Sequence, residues 1–240
     1  MSVPTYNSLS FDSSLFDFPV ASICLENPEQ LTLLANTLEG NMPTLFYLFS
    51  SMPLSVEAIE RKTGYFVGHC EERVVFERCV ESAIDIDGHI ALNKWQVEDV
   101  SHIYQLGLAS GEYSRFALDS KFPRGSFEKL YDLWVDKSLR KELADDVFLF
   151  KKDNVKGLLT VKYVDEMAKV GLVAVSKDSR GLGIGGKLLN GLESRAFQLN
   201  KHKIIIPTQR INKNACRFYA NSGYKELKSS FIYHCWRSNG

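Results

Sequence analysis

Late in the chain, Arg180-Gly181-Leu182-Gly183-Ile184-Gly185-Gly186-Lys187 sets four glycines between two cations. Glycine removes the side chains that would keep a ligand off the backbone, so several N–H groups of such a loop can point at one guest. If a helix begins inside the loop, its unpaired amides and positive dipole end add to that field, and a pyrophosphate suits the site. Arg180 or Lys187 would add one mobile positive charge. Two other phosphate-binding patterns fit poorly. A dinucleotide fold places G-x-G-x-x-G at the start of a βαβ unit, and a P-loop needs G-x-x-x-x-G-K-[ST]. Here the glycines come late, and Lys187 is followed by Leu188. A tight strand-to-helix turn with no ligand also accounts for a glycine loop taken alone.

The residues around the loop read as the elements that would hold it. Residues 170–175 form an apolar strand entering the loop, and Ile184, Leu188, Leu189, Leu192, Ala196 and Leu199 recur at helical spacing after it. Residues 203–208 read as a buried strand, Asn212 as the cap of a short helix ending at Gly223, and 230–236 as a closing strand. Upstream, 147–150 and 157–164 are strands around a Lys152-Asp153-Asn154 turn, and 96–108 and about 125–141 carry helical periodicity. A polar, irregular stretch, 110–119, separates those two helices. In the first 90 residues short apolar runs alternate with turn residues. Residues 64–68 and 73–77 read there as two strands bounded by glycine or charge, and 45–49 as an apolar run for core or interface. The texture changes near residue 91, which divides the chain into a small mixed α/β region, 1–90, and a larger domain, 91–240. No internal repeat is visible.

Two of these segments together resemble a family. Arg180, Gly183 and Gly185 fit the R/Q-x-x-G-x-G/A motif of the GCN5-related N-acetyltransferases (GNAT), preceded by the strand Gly171-Leu172-Val173-Ala174-Val175. Asn212, Ala215, Tyr219, Gly223 and Tyr224 resemble that family's N-x-x-A-x-x-x-Y-x-x-x-G-F helix. The resemblance implies an α/β fold with a mixed central sheet, two splayed parallel strands and flanking helices. It implies acyl-CoA as co-substrate, without a metal, with pantetheine pairing along Leu172, Val173, Ala174 and Val175. The pyrophosphate would rest on Arg180, Gly181, Leu182, Gly183, Ile184, Gly185, Gly186 and Lys187, with Asn212 and Phe218 beside it. Attack of an amine on a thioester needs a base for the amine, a donor for the oxyanion and an acid for the thiolate. A backbone N–H near Val173 or Ala174 is the oxyanion candidate, and Tyr219 is the acid, since a phenol can protonate a developing thiolate. Glu112, Asp119 or a water chain are candidates for the base, although each carboxylate also reads as an ordinary surface or ion-paired residue.

For the acceptor, Ser114-Arg115-Phe116 with Asp119, Phe122, Phe127, Tyr131 and Trp134, and the opening 9–16, resemble the TDP-fucosamine N-acetyltransferases of that family. This implies a nucleotide-linked amino sugar, a dTDP-linked 3- or 4-amino-dideoxyhexose of surface polysaccharide, as substrate. Arg115 could hold a diphosphate by paired hydrogen bonds and an aromatic could stack on a base, or the aromatics are core and Arg115 pairs with Glu112 or Asp119. Another amine, such as a polyamine, an aminoglycoside or a protein lysine, or a non-catalytic acyl-CoA-binding module, remains open. Lys plus Arg and Asp plus Glu are 29 each, so no basic field draws nucleic acid or anionic lipid. No apolar run is long enough to span a membrane and no leader is read at the start. The five cysteines have no metal-type spacing and read as reduced, mostly buried thiols of a cytoplasmic protein. A homodimer follows from the resemblance alone.

Overall fold

The computed structural model describes residues 2–83 and 85–238. Its first half contains β1 (Thr5–Ser8), α1 (Ser10–Phe16), β2 (Val20–Cys24), α2 (Leu34–Leu38), β3 (Leu45–Ser50), α3 (Val56–Thr63), β4 (Tyr65–Cys79) and β5 (Ile90–Leu92). There follow α4 (Val100–Ser110), α5 (Arg115–Leu118), α6 (Ser126–Leu139), β6 (Asp146–Lys151), β7 (Val155–Val164) and β8 (Met167–Val175). The chain closes with α7 (Ile184–Gln198), β9 (Lys203–Gln209), α8 (Lys213–Asn221) and β10 (Lys225–Arg237). All ten strands join one sheet in the order β1-β2-β3-β10-β4-β9-β8-β7-β6-β5. Only β2/β3 and β8/β9 pair in parallel, so the fold is mixed α/β, as the sequence suggests.

The order of elements repeats although the sequence does not. A strand, a helix, a parallel strand, a second helix and a long antiparallel strand occur as β2-α2-β3-α3-β4 and again as β8-α7-β9-α8-β10. The two long closing strands have changed places: β10 pairs with β3, and β4 pairs with β9. β4 and β10 also pair with each other, which welds the halves into one sheet across the segment between residues 79 and 90.

Local chemistry accounts for these elements. Leu45, Phe46, Tyr47 and Leu48 are all buried, as expected of an interior strand covered on both faces, so the apolar run of β3 is core. Ser55 accepts a hydrogen bond from the Ala58 N–H and starts α3, and Gly64 ends it at φ 71°. The two strands read at 64–68 and 73–77 are one 15-residue strand, β4. Gly68 does not break it. A Cβ there would come within 2.8 Å of the Trp236 ring, so this glycine allows a close approach of strand and side chain. The charges at 71–73 do not break it either: β10 pairs with β4 throughout this stretch, and β9 joins on the other side from Arg73 onward. The thiols depart from expectation: Cys24, Cys70 and Cys79 are exposed and Cys235 is buried. No helix among the described residues is long and apolar enough to cross a membrane.

One face of the sheet carries α1, α4, α5 and α6 over Leu45, Tyr47, Leu172, Ala174 and Ile232. The other carries α7 and α8 over Val170, Ile204 and Ile206, and α2 and α3 over Phe46, Leu48 and Tyr233. In β8, Ala168 and Val170 face the α7 side, but Leu172 and Ala174 face the opposite side. Strict alternation would keep even-numbered residues on one face. A bulge at Gly171 and Leu172 reverses it: Val161 pairs with Val170 and Leu159 with Val173, so two residues of β8 oppose Thr160 alone.

Candidate active site

That bulge marks where the two parallel strands part. Met167, Ala168 and Lys169 pair with Lys203, Ile204 and Ile205, and the β8/β9 ladder stops there, although β8 runs on to Val175 and β9 to Gln209. At the bulge the Leu172 N–H donates to Thr160 Oγ1 at 2.8 Å. A Cβ on Gly171 would lie 2.8 Å from the same oxygen, so only glycine fits. The β8 edge beyond is left with backbone groups that an extended guest could pair with as an added strand.

β8 leads into the glycine loop. Gly181 and Gly183 adopt φ of 80° and 76°, conformations that cost an L-residue strain, and α7 starts directly at Ile184. A Cβ on Gly186 would meet nothing, whereas one on Gly185 would lie 2.9 Å from the Phe218 ring. Phe218 therefore buttresses the loop from α8 while Gly186 keeps its outer side open. The Leu182 side chain is exposed. Of the two cations, Lys187 is tied to Asp87 at 3.0 Å over the Phe150 ring. Arg180 stays at the loop, donating to the Val175 carbonyl at 3.3 Å with its guanidinium 3.6 Å from Glu112.

The splay opens into a cleft of about 260 Å³ between the sheet and the α4–α5–α6 layer. Gly171, Leu172, Val173, residues 206–209, Asn212 and Tyr219 line one side. Asn212 caps α8, its Oδ1 accepting from the Ala215 N–H at 3.1 Å, and so fixes the helix that presents Tyr219. Tyr219 is buried against Phe76, and burial, with a smaller part from Cys216, pushes its phenol up, so it stays protonated at neutral pH.

The other side of the cleft holds residues that sequence reasoning reached only in part. Ser114 caps α5, accepting from the Ala117 N–H at 3.3 Å. Arg115 lies over the Tyr47 ring at 4.4 Å and reaches the cleft, and Phe116 belongs to the core with its edge on the cleft. Beneath them β4 contributes Glu71 and Arg73. Glu71 is 8% exposed and its Oε2 has no partner among the described residues. Burial pushes its carboxyl up, and the charges of Arg115 and Arg73 only partly offset this. Glu71 falls in the gap between the two strands read there, and Arg73 opens the second of them. Their spacing of two, on a strand whose Val74 and Phe76 face the opposite core, was the available signal.

The carboxylates considered as bases stand elsewhere. Glu112 meets Arg180 and does not line the cleft. Asp119 is fully buried: its carboxylate accepts from His234 Nδ1 at 2.7 Å, Trp236 Nε1 at 2.9 Å and the Lys121 N–H at 3.0 Å. Burial pushes the carboxyl up, but those donors, His234 first, outweigh it and hold the group below its ordinary range. Burial also drives His234 down to about 4, so the ring is neutral at pH 7 with the Nδ1 proton directed at Asp119. This cluster pins the chain after α5 to β10 and so sets where Ser114 and Arg115 lie. A saturated, sealed carboxylate has no route to an acceptor amine.

Comparison with known proteins gives this geometry a family. Residues 116–224 match the acetyltransferase (GNAT) family. The spore coat polysaccharide biosynthesis protein SpsD of Bacillus subtilis is 26% identical over 139 residues, 58% of this chain and 48% of that protein. An uncharacterized N-acetyltransferase of Methanocaldococcus jannaschii, MJ1530, is 42% identical over 57 residues, 23% of this chain and 36% of that protein. The chain thus spans about half or less of the length of these curated relatives. Among solved structures, a GCN5-related N-acetyltransferase from Sphaerobacter thermophilus superposes with a TM-score of 0.60 at 13% identity, covering 99% of this chain and 78% of that one. One from Kribbella flavida gives 0.56 at 11% identity, covering 100% and 89%. At such identities these structures speak for the fold.

Proposed function

We propose, from the premise that residues 116–224 match the acetyltransferase (GNAT) family, that the protein moves an acyl group from acyl-CoA to the amino group of a nucleotide-linked sugar, a dTDP-linked 3- or 4-amino-dideoxyhexose used in polysaccharide assembly. The observation that carries the reaction is the cleft itself, where a protonated phenol on α8 and a carboxylate of raised proton affinity on β4 line one space at the mouth of the splayed strands. The segment from Ser114 to Trp134 and the likeness to a spore coat polysaccharide protein support the sugar acceptor. Action in the cytoplasm and assembly as a homodimer belong to the same reading.

In this reading the pyrophosphate of acyl-CoA rests on the backbone of 180–186, and pantetheine pairs with the free edge of β8 from Leu172 to Val175. Glu71 takes a proton from the acceptor ammonium. The neutral nitrogen attacks the thioester carbon, and the resulting oxyanion is met by a backbone N–H near Val173 or Ala174. Collapse breaks the C–S bond, and the Tyr219 hydroxyl gives its proton to the departing sulfur. The second proton lost from nitrogen restores the phenol through solvent, leaving an amide, free CoA and a protonated Glu71 that returns its proton to water.

The test is thiol release from acetyl-CoA with dTDP-linked 3-amino and 4-amino dideoxyhexoses, spermidine, an aminoglycoside and a lysine peptide. Release confined to the dTDP-amino sugars is expected, and the better regioisomer identifies the carbon. Release with another amine and none with the sugars would replace the acceptor while keeping the acyl-CoA assignments.

A further inference from the structure

Two arginines line the acceptor side of the cleft. Arg73 rises from β4, where its neighbour on β10 is Ser230, and Arg115 comes down from α5 onto the Tyr47 ring at 4.4 Å. Glu71, two residues back along β4 and opposite Ile232, lies in the field of both. Arg73 is open to the cleft solvent but crowded by protein on its other sides; that crowding, and then the charge of Arg115, pushes its guanidinium down. Two like charges held this close are costly unless something of opposite sign joins them.

The protein itself supplies little of that. Arg78, Arg140, Arg180, Arg195 and Arg210 each have a carboxylate within 4.0 Å. Among the described residues neither Arg73 nor Arg115 forms such a pair; Glu71, the one carboxylate lining the cleft, lies in the field of both, and Asp12, which accepts from the Tyr47 hydroxyl, in that of Arg115 alone. Guanidinium forks that face a cavity without a carboxylate partner present their N–H donors to whatever enters it, and phosphate matches them best, two N–H groups to two oxygens. A polycationic acceptor would be repelled by the same pair.

We propose that Arg73 and Arg115 form a two-armed anion clamp that takes a phosphate of the acceptor, and that this clamp selects phosphate-linked amino sugars over free amines. The inference rests on the acyl-transfer reading above and deepens it: Glu71 lines the same cleft within the field of both arms, so a clamped phosphate brings the amine of the attached sugar to the base. The clamp leaves the donor to the glycine loop, whose residues do not line this cleft.

The deciding measurement is the ratio of kcat/KM for the dTDP-linked amino dideoxyhexose to that for the same amino sugar as its neutral methyl glycoside, in wild type, R73Q and R115Q. Loss of charge-assisted hydrogen bonds of this kind is worth roughly ten- to a hundredfold, so the ratio should fall by about that much in each variant, mainly through KM of the nucleotide-linked sugar. R73K should fall between, keeping the charge but not the fork. A structural role for Arg73 would depress both acceptors together, and an unchanged ratio in R73Q overturns the clamp while leaving the proposed reaction standing. If the wild-type protein acylates no nucleotide-linked sugar, the acceptor reading fails, and calorimetric binding of inorganic pyrophosphate with CoA already bound judges the clamp alone. Binding that is lost in R73Q upholds it; no binding in wild type overturns it. Replacing acetyl-CoA by succinyl-CoA separates the remaining source of an anion. If the arginine variants lose activity only with that donor, the pair reads the acyl chain and the proposal is wrong.

Discussion

Tyr219 and Glu71 face the same small volume, with opposite duties in the proposed reaction, and their surroundings push both pKa values up. For the phenol this ensures that a proton is present to give. Tyr219→Phe keeps the ring against Phe76 and removes that proton, so turnover should fall by roughly 10²- to 10⁴-fold with little change in CoA affinity, read by thiol release beside a CoA titration. For Glu71 the raised pKa places the acid limb of kcat/KM above the ordinary carboxylate range, because the base works ionised and the rate falls as pH falls through the raised value. Glu71→Gln should lower the rate and abolish that limb in a pH–rate series. The stability sign runs the other way. A carboxyl whose folded pKa is raised contributes fully below its unfolded pKa and loses that contribution as pH rises through the folded value. The neutral Gln variant should therefore melt no earlier than wild type at pH 7 while being the slower enzyme, which separates a functional loss from a folding defect. Tyr219 is legible in the sequence because it sits in a helix pattern with its own cap and terminating glycine. Glu71 is not, because a carboxylate among other charges is told from a surface residue only by burial.

The elements hold these side chains by bending rules at a few positions. The β8 bulge turns Leu172 and Ala174 toward the cleft layer and ends the ladder to β9, and its one internal bond is the Leu172 N–H to Thr160 Oγ1. Thr160→Val keeps the shape and removes the acceptor, stranding a buried N–H, which should cost about 1–3 kcal/mol in chemical denaturation and raise KM for acetyl-CoA as the strand edge loses its set. No change in either quantity would show that the bulge is held by packing alone. The strand Gly171 to Val175 is evident from its apolar run, but the bulge is not: Gly171 is the only hint, and a strand glycine has several possible reasons. The Arg180–Gly186 loop is the reverse case. Positive φ at Gly181 and Gly183 is a local demand that glycine meets in any context, so type and spacing alone place the loop correctly.

At the scale of the whole molecule, the exchanged strands decide what can be separated from what. β4 belongs by sequence to the N-terminal region, 1–90, yet it lies between β9 and β10 and brings Glu71 and Arg73 to a cleft otherwise built by later residues. We propose that the small N-terminal region is a structural part of the active site and not an independent unit. A fragment of residues 91–240 would leave the long edges of β9 and β10 unpaired, an invitation to aggregation. It should be insoluble or unfolded when produced alone, and co-production with residues 1–90 should recover soluble, CoA-binding protein. A soluble fragment with native circular dichroism would show that the later domain folds without its borrowed strand.

What the sequence determined by itself was local: the glycine loop, the cap and tyrosine of α8, and the helix and strand texture between residues 91 and 240, the parts on which the proposed acyl-CoA half of the site rests. Each depends on a residue type meeting a backbone requirement within a few positions, so it survives being read without neighbours. The acceptor half was decided by tertiary structure. Asp119, equally plausible on paper, is sealed under His234 and Trp236, while Glu71, in a gap read between two strands, and Arg73, at the start of the second, line the cleft. That outcome depends on a strand pairing with residues about 130 to 160 positions away, and no local pattern carries information over such a distance: only the closed sheet fixes which charges are buried and which face the substrate.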